Sequence, residues 1–325
     1  MTFSSKATRH WRRAVAGVVA VAAAAVVAAC GGGTSQSEPF IAERVIVFGD
    51  DTSALTSDGR RYGVNGLATT GTPPAIDCNL EPIWVQSVAA YFGFVFAQCN
   101  TATPALVPKA FNFAVLGATV ADVAVQVETQ VAAGGFRERD LVLTMAGIND
   151  VLELYAQYPT RSEESLIAEA RGRGERMAAI VNRIISLGGR VIVSNLPDMG
   201  MSPFARAEAL THAATGFDRS QFITRLTTVF NEQLGVKVLL DGRFVGLAQL
   251  DLRTQGAARS PLSFGFVDVS TPFCAVALPD CTTATPVTAG AISSQYLWAD
   301  ATRLSPGGQN LLGSLALERA QRNPF

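Results

Sequence analysis

Polar residues follow several apolar runs of the chain, and their types could support nucleophilic, acid–base or binding chemistry. FGDDTS follows the first run, LGAT the second, GIND the third and NLPDMG the fourth, and ADATRLS precedes the last helical segment. In open parallel sheets, ligands bind at the carboxyl ends of the strands. We therefore expect these carboxylates, hydroxyls, amides and the guanidinium to converge on one face of the fold.

Short apolar runs alternate with longer helical segments, and these elements must position the polar residues. The predicted strands cover residues 44–50, 109–119, 140–151, 190–200 and, more weakly, 236–242. The predicted helices cover residues 81–93, 120–135, 162–189, 216–234 and 305–323. This alternation, with near-continuous apolar strands, predicts a parallel sheet covered by helices on both faces. Two loop-rich segments, 56–82 and 248–295, interrupt the pattern, and we interpret them as insertions into one α/β domain spanning residues 44–325.

The composition indicates a globular domain and excludes some function classes. Apolar residues make up 48% of the 325 residues and charged residues 16%, which is enough for a sizeable core. The net charge of -1 gives no electrostatic argument for a nucleic acid or an anionic membrane as partner. The sequence contains no phosphate loop and no dinucleotide fingerprint, so we expect no cofactor. Its oligomeric state is left open.

The first residues are typical of an export signal. Basic residues are followed by an apolar run over residues 14–29, which is short for a membrane span but suits a signal peptide. The run ends in VAAC, which resembles a bacterial lipobox and predicts cleavage before Cys30 and lipidation of its sulfur. Residues 1–29 would then be the signal peptide and residues 30–43 a flexible tether. Gly31 favours the outer membrane; the alternative is ordinary cleavage that leaves a free cysteine.

Four further cysteines favour disulfides if the chain is exported, because their number is even and the compartment oxidising. Three pairings are possible. The local one, Cys78–Cys99 with Cys274–Cys281, would staple loop-rich segments. Zinc is the competing interpretation, but there is no CxxC pair and only His212 remains after signal removal. We expect no metal and interpret His212 as a surface or helix-packing residue.

The order of the polar blocks resembles that of the SGNH/GDSL hydrolase family. FGDDTS stands where the family has F-G-D-S-x-S, GIND matches G-x-N-D, and DATRLS stands where the family has its D-x-x-H block. The resemblance implies a three-layer α/β/α sandwich with a central parallel sheet and hydrolysis of carboxylic esters. It assigns Asp51 to the nucleophile position, Gly117 and Asn149 to the oxyanion positions, Asp300 to the triad acid and Arg303 to the histidine. It gives supporting places to Asp50, Ser53, Gly147 and Asp150.

Two of these positions depart from the family pattern. The nucleophilic serine is replaced by Asp51 and the catalytic histidine by Arg303. A guanidinium stays protonated and cannot act as a general base, and a carboxylate is a poor nucleophile toward ordinary esters. The two replacements complement each other in charge. We therefore expect an ion pair between Asp51 and Arg303, with Asp300 as a second partner of Arg303.

These departures favour a pseudohydrolase of the cell envelope that binds a small acyl or carbohydrate ligand, or an envelope protein, without chemistry. The alternative is an active esterase or lipase with a non-standard site, for which Ser53 in a shifted register is the nearest hydroxyl. A third possibility makes Asp50, Asp51 and Asp300 ligands of Ca²⁺, which the positive charge of Arg303 disfavours. Asn149 and Asp150 could also serve only to cap the helix that follows them.

Overall fold

A five-stranded parallel sheet forms the centre of the computed structural model, which describes residues 39–102 and 106–325. The strands are β1 (Arg44–Gly49), β2 (Ala110–Asn112), β3 (Asp140–Met145), β4 (Arg190–Ser194) and β5 (Val245–Ala248), in the spatial order β2-β1-β3-β4-β5. Because all neighbours are parallel, every strand begins at one edge of the sheet and ends at the other. The predicted α/β class is confirmed.

Most residues of the inner strands are apolar and buried. Because successive residues of a strand point to opposite faces, both faces of the sheet must be covered. In β1, Ile46 is paired with Phe111 of β2 on one side and with Val142 of β3 on the other. All six residues of β3 are buried. Such continuous apolar strands, rich in Val, Ile and Leu, are typical of parallel sheets that helices cover on both sides.

The described residues form eight α-helices, seven of which form two layers over the sheet. They are α1 (Trp84–Tyr91), α2 (Val120–Ala132), α3 (Ile148–Ala156), α4 (Glu163–Ser186), α5 (Pro203–Thr211), α6 (Arg219–Lys237), α7 (Leu250–Arg259) and α8 (Pro306–Arg322). Helices α1, α7 and α8 form one layer, and α2, α3, α4 and α6 pack together in the other. None of the helices in the described part of the chain is long and apolar enough to cross a membrane.

The fifth strand lies at a different place from the one the sequence predicts. Residues 236–242 are not a strand, because α6 continues to Lys237 and a loop follows. Their apolar side chains Val236, Leu239 and Leu240 are exposed. The strand beside β4 is formed by residues 245–248 instead, where Val191 is paired with Val245.

The segment 248–295 is more regular than predicted. It contains α7 and the strand β6 (Asp268–Pro272), which forms a small parallel sheet with β7 (Tyr296–Trp298). Helix α7 buries Leu250, Thr254 and Ala257 at helical spacing. The sequence did not predict this helix, because few of the residues at that spacing are apolar. Helix α5 was also missed.

Two disulfides close the loop-rich segments, and the local pairing is confirmed. Cys78 is bonded to Cys99 and Cys274 to Cys281. Near the first of them, the buried Arg61 donates hydrogen bonds to the carbonyl groups of Cys78, Leu80 and Glu81.

The two insertions contact each other through Asn65. Its Nδ2 donates to the carbonyl oxygens of Pro279 at 2.8 Å and Cys281 at 3.0 Å. The side chain of Asn65 therefore joins the two insertions through hydrogen bonds. The predicted signal peptide, the lipidation of Cys30 and most of the tether lie outside the described residues, and the boundaries at residues 29 and 43 stay predictions.

Candidate functional site

The turn that follows β1 is shaped by its own backbone. Gly49 has φ of +153°, and a Cβ there would collide with the carbonyl oxygen of Met145. The amide of Asp50 donates to the same carbonyl at 3.3 Å, and the amide of Ser53 donates to the carbonyl of Asp50 at 3.0 Å. Gln126 of α2 then bonds both the amide of Gly49 at 2.9 Å and its carbonyl at 3.1 Å.

Side chains from distant parts of the chain also hold this turn. Asn112 Nδ2 donates to the Ser53 carbonyl at 2.7 Å, and Gln309 Nε2 of α8 donates to the Thr52 carbonyl at 3.1 Å. The same Gln309 accepts the amide of Trp84 at 3.0 Å through Oε1. None of these contacts uses the side chain of residue 51.

The side chain of Asp51 takes up both donors that the resemblance assigns to the oxyanion positions. Its Oδ1 accepts the backbone amide of Gly117 at 2.6 Å, and its Oδ2 accepts Asn149 Nδ2 at 3.4 Å. Asn149 Nδ2 also donates to the Ala118 carbonyl at 3.0 Å, which fixes its orientation. Asp51 is only 6% exposed. The two donors that would form an oxyanion hole therefore bind the two oxygens of one carboxylate of the protein itself.

Arg303 completes the group through the expected ion pair. Its Nε lies 3.5 Å from Asp51 Oδ2, and its Nη1 lies 2.7 Å from Asp300 Oδ2. Asp300 Oδ1 accepts the amides of Thr302 at 2.9 Å and Arg303 at 2.7 Å, so the loop before α8 fixes the guanidinium. Burial opposes the charge of Arg303, but attraction first to Asp300 and then to Asp51 raises its pKa. The expected ion pair between Asp51 and Arg303 is therefore present.

Asp50 lies beside this pair and has a raised pKa. Burial first, and then repulsion from Asp51, raises the pKa of Asp50 to about 7. Its Oδ1 accepts the amide of Thr52 at 3.0 Å, whereas its buried Oδ2 has no partner. Asp50 therefore fixes the turn and gains a proton near neutral pH.

Asn149 and Asp150 do more than cap α3. The N-cap residue is Gly147, with φ of +130°, and both polar residues lie within the first turn of the helix. Asp150 Oδ2 accepts the amide of Val120 at 2.9 Å at the start of α2. The interpretation of these residues as caps alone is therefore wrong.

Asp150 is also paired with Arg173 of α4, whose Nη1 lies 3.3 Å from its Oδ1. Burial raises the pKa of Asp150, although the Val120 amide and Arg173 oppose the shift. Asp150 thus joins α2, α3 and α4 beneath the site.

Ser53, the alternative nucleophile, is not accessible to a substrate. Ser53 is fully buried, and its Oγ accepts the indole N–H of Trp84 at 3.0 Å. His212 follows α5, and its Nε2 lies 3.4 Å from Glu208 Oε2. The geometry therefore does not favour Ser53 as a nucleophile in a shifted register.

Across residues 39–102 and 106–325, no group of three or more His, Cys, Asp and Glu side chains is arranged to hold a metal ion. Asp51 and Asp300 lie on two sides of the Arg303 guanidinium. The carboxylates considered as Ca²⁺ ligands therefore have a cation of the protein between them.

Three residues around the site were not singled out from the sequence. Gln126 and Gln309 are polar positions on helices that otherwise pack through apolar residues, and this was the available signal. Arg173 lies among several arginines of α4, and nothing in the local sequence distinguishes it as the partner of Asp150.

Comparison with known proteins gives a family match. The profile of the GDSL-like Lipase/Acylhydrolase family matches residues 45–296. A phosphatidylcholine-sterol acyltransferase from Aeromonas hydrophila is 23% identical over 230 residues, which are 69% of this chain and 63% of that protein. The chain thus spans less than two thirds of that relative.

Similar solved structures include the lipase Lip_vut3 from a goat rumen metagenome and Axe2, an acetylxylan esterase from Geobacillus stearothermophilus. The first has a TM-score of 0.48 at 12% identity and covers 87% of this chain and 99% of its own. The second has a TM-score of 0.45 at 15% identity and covers 87% of this chain and 96% of its own. On the family profile, which matches most of the sequence, the chain belongs to the GDSL-like lipase/acylhydrolase family.

Proposed function

We propose that this chain is a pseudohydrolase of its family, which binds a small acyl or carbohydrate ligand and does not cleave esters. The observation that carries the proposal is the position of the Asp51 carboxylate, which accepts both the Gly117 amide and Asn149 Nδ2. Ester hydrolysis by the family mechanism needs these donors for the oxyanion of the tetrahedral intermediate. Here they are engaged before any substrate arrives.

The chain also lacks the two side chains that transfer protons in the family mechanism, the nucleophilic serine and the catalytic histidine. Asp51 has no hydroxyl proton to give, and Arg303 keeps its own proton at any physiological pH. Attack by the Asp51 carboxylate on an ester would form an anhydride, and the ion pair with Arg303 lowers its nucleophilicity further.

Exposed groups around the pair support a role in binding. The side chains of Arg303 and Asp300 are 28% and 26% exposed, so a donor and an acceptor face solvent. Val115 and Leu116, directly before Gly117, are exposed and apolar. Paired polar groups beside apolar side chains suit an acyl group or a sugar ring.

The location in the cell is part of the proposal. The VAAC sequence supports lipidation of Cys30 and attachment of the domain to the envelope, with Gly31 favouring the outer membrane. Mass spectrometry of the purified chain would detect the lipid.

The deciding experiment is ester hydrolysis by the full chain, purified in mild detergent, on p-nitrophenyl butyrate. We expect no turnover from the unmodified protein and measurable turnover from D51S/R303H, in which Asp300 can orient the new imidazole. D51A/R303H is the matched control, because it frees the same donors without a nucleophile. Turnover by the unmodified protein that Asp300→Ala abolishes would instead establish an active esterase with a non-standard site.

A further inference from the structure

We infer that the edge of the central sheet where the strands begin lies against an anionic phospholipid bilayer. The Asp51–Arg303 site, at the opposite edge, then faces away from the membrane. This inference rests on the proposed attachment through Cys30.

Chain length limits how far the attachment can lie from the domain. Cys30 precedes Pro39, the first described residue, by nine positions, and β1 begins at Arg44. An extended chain covers at most about 3.6 Å per residue, so the anchor lies within about 30 Å of Pro39. Strand β1 runs six residues, about 20 Å, from this edge of the sheet to the turn with Asp51.

Aromatic side chains cluster where the chain enters the domain. The ring of Phe40 lies 6.3 Å from that of Phe92 and 5.4 Å from that of Phe325, and Phe92 stacks on Phe94 at 6.3 Å. Lys109 Nζ lies 5.5 Å from the Phe94 ring centre.

Exposed apolar residues adjoin this aromatic cluster in the sequence. They are Ile41, which is 63% exposed, Tyr91 at 52% and Val107 at 83%. Aromatic and apolar side chains next to cations are the composition found at the membrane–water interface.

The two edges of the sheet differ in charge. Basic residues stand at or just before the start of each strand, namely Lys109, Arg44, Arg137, Arg139, Arg190 and Arg243. Fewer acidic residues stand there, namely Glu43, Glu138, Asp140 and Asp241. Lys109, Arg137 and Arg139 are exposed and form no ion pair with the residues that the structure describes.

At the opposite edge, carboxylates follow the ends of the strands of the central sheet and of β7. They are Asp50, Asp51, Asp150, Asp198, Asp251 and, after β7, Asp300. Three of these, Asp51, Asp150 and Asp300, are paired with Arg303 or Arg173. The attraction of an anionic bilayer therefore rests on the exposed cations of the first edge that form no ion pair within the described residues. A local excess of exposed cations is compatible with the net charge of -1.

The test uses the full chain in vesicles of phosphatidylethanolamine and phosphatidylglycerol whose acyl chains carry bromine, a quencher of tryptophan. Val107→Trp probes the edge where the strands begin. Leu252→Trp, on exposed α7 just after β5, is the matched control at the other edge. After subtraction of the unmodified protein, we expect loss of fluorescence for Val107→Trp and none for Leu252→Trp. R137E/R139E in the Val107→Trp background should weaken the quenching.

Each other outcome overturns the inference. Quenching at position 252, or at neither position, shows another orientation. If the protein self-associates in detergent and R137E/R139E abolishes this, the surface binds a second copy of the chain. Mass spectrometry that finds no lipid on Cys30 removes the attachment on which the orientation rests. The ester assay does not depend on membrane orientation, self-association or lipidation. Failure of the orientation proposal can therefore be distinguished from failure of the proposal that the chain does not hydrolyse esters.

Discussion

The backbone amide of Gly117 donates to Asp51 Oδ1 across 2.6 Å, and this bond joins the second strand exit of the chain to the first. In a hydrolase of this family, the same amide would bind a charge that exists only during the reaction. In this protein the amide is bound to a carboxylate of the chain itself.

The Asp51–Arg303 pair should be energetically coupled. Arg303→Gln leaves the buried Asp51 carboxylate without its cation, and we expect a loss of about 2 kcal/mol of unfolding free energy. This is less than for a fully buried pair, because Arg303 is partly exposed. Adding Asp51→Asn should restore part of the loss. Urea denaturation of the two single variants and the double variant measures the coupling, and strictly additive effects would contradict the pairing.

Asp50 should make the protein less stable as the pH rises. Its pKa is about 7 in the folded protein but near 3.8 when exposed, so the folded state holds more protons between these values. Unfolding free energy therefore falls with pH from about 4 to about 7 by a few kcal/mol, and the cost is complete above pH 7.

Asp50→Asn tests this cause. It keeps an acceptor for the Thr52 amide while removing the titration, so it should flatten the pH profile and stabilise the protein at pH 8. Chemical denaturation across the pH range is the measurement. A variant that keeps the wild-type slope would show that another group is responsible.

Ser53 should matter for stability and not for catalysis. Ser53→Ala leaves the buried indole N–H of Trp84 without its acceptor, at a cost of about 1–2 kcal/mol. The same change in D51S/R303H should leave ester turnover per folded molecule unchanged. If turnover disappears with Ser53, this hydroxyl is the nucleophile and the assignment of position 51 is wrong.

The two glycines of the site should respond differently to alanine. At Gly147 a Cβ would lie 2.5 Å from the Phe230 ring at φ of +130°, so we expect a loss of about 3 kcal/mol. At Gly117, with φ of +75°, a Cβ has no neighbour within 4 Å, and only the backbone cost of about 1 kcal/mol remains. Thermal unfolding compares them, and equal losses would refute the clash with Phe230.

Removing either disulfide should destabilise the domain according to the loop it closes. The bond Cys78–Cys99 spans 21 positions and Cys274–Cys281 spans 7. Loop entropy then gives losses of about 3 and about 2 kcal/mol for the paired alanine variants. Denaturation of both double variants under identical conditions gives the order, and a larger loss for the shorter loop would contradict it.

The sequence predicted those parts of the fold that local patterns determine. Strands β1, β3 and β4 are continuous apolar runs, and α2 and α4 have long helical periods, so these elements begin close to where they were predicted. The predicted strands 140–151 and 190–200 extend too far, because β3 ends at Met145 and β4 at Ser194. The fifth strand was misplaced because residues 236–242 are as apolar as residues 245–248. Only pairing with β4 distinguishes the two, and that contact is not local.

The site shows the same division. The Asp51–Arg303 contact could be predicted because two replacements balanced each other in charge. The engagement of Gly117 and Asn149 by Asp51 was not predicted, because it depends on distances between three separate strand exits. The roles of Gln126 and Gln309 depend on which helix faces they occupy.

The contacts of the turn after β1 have an evolutionary meaning. Gln126, Asn112 and Gln309 bind the backbone of residues 49, 52 and 53, and no such contact involves the side chain of residue 51. Selection can therefore exchange the chemistry of this position while the inherited loop geometry persists. An architecture of this kind lets a lineage lose one activity and acquire another role without first rebuilding its backbone.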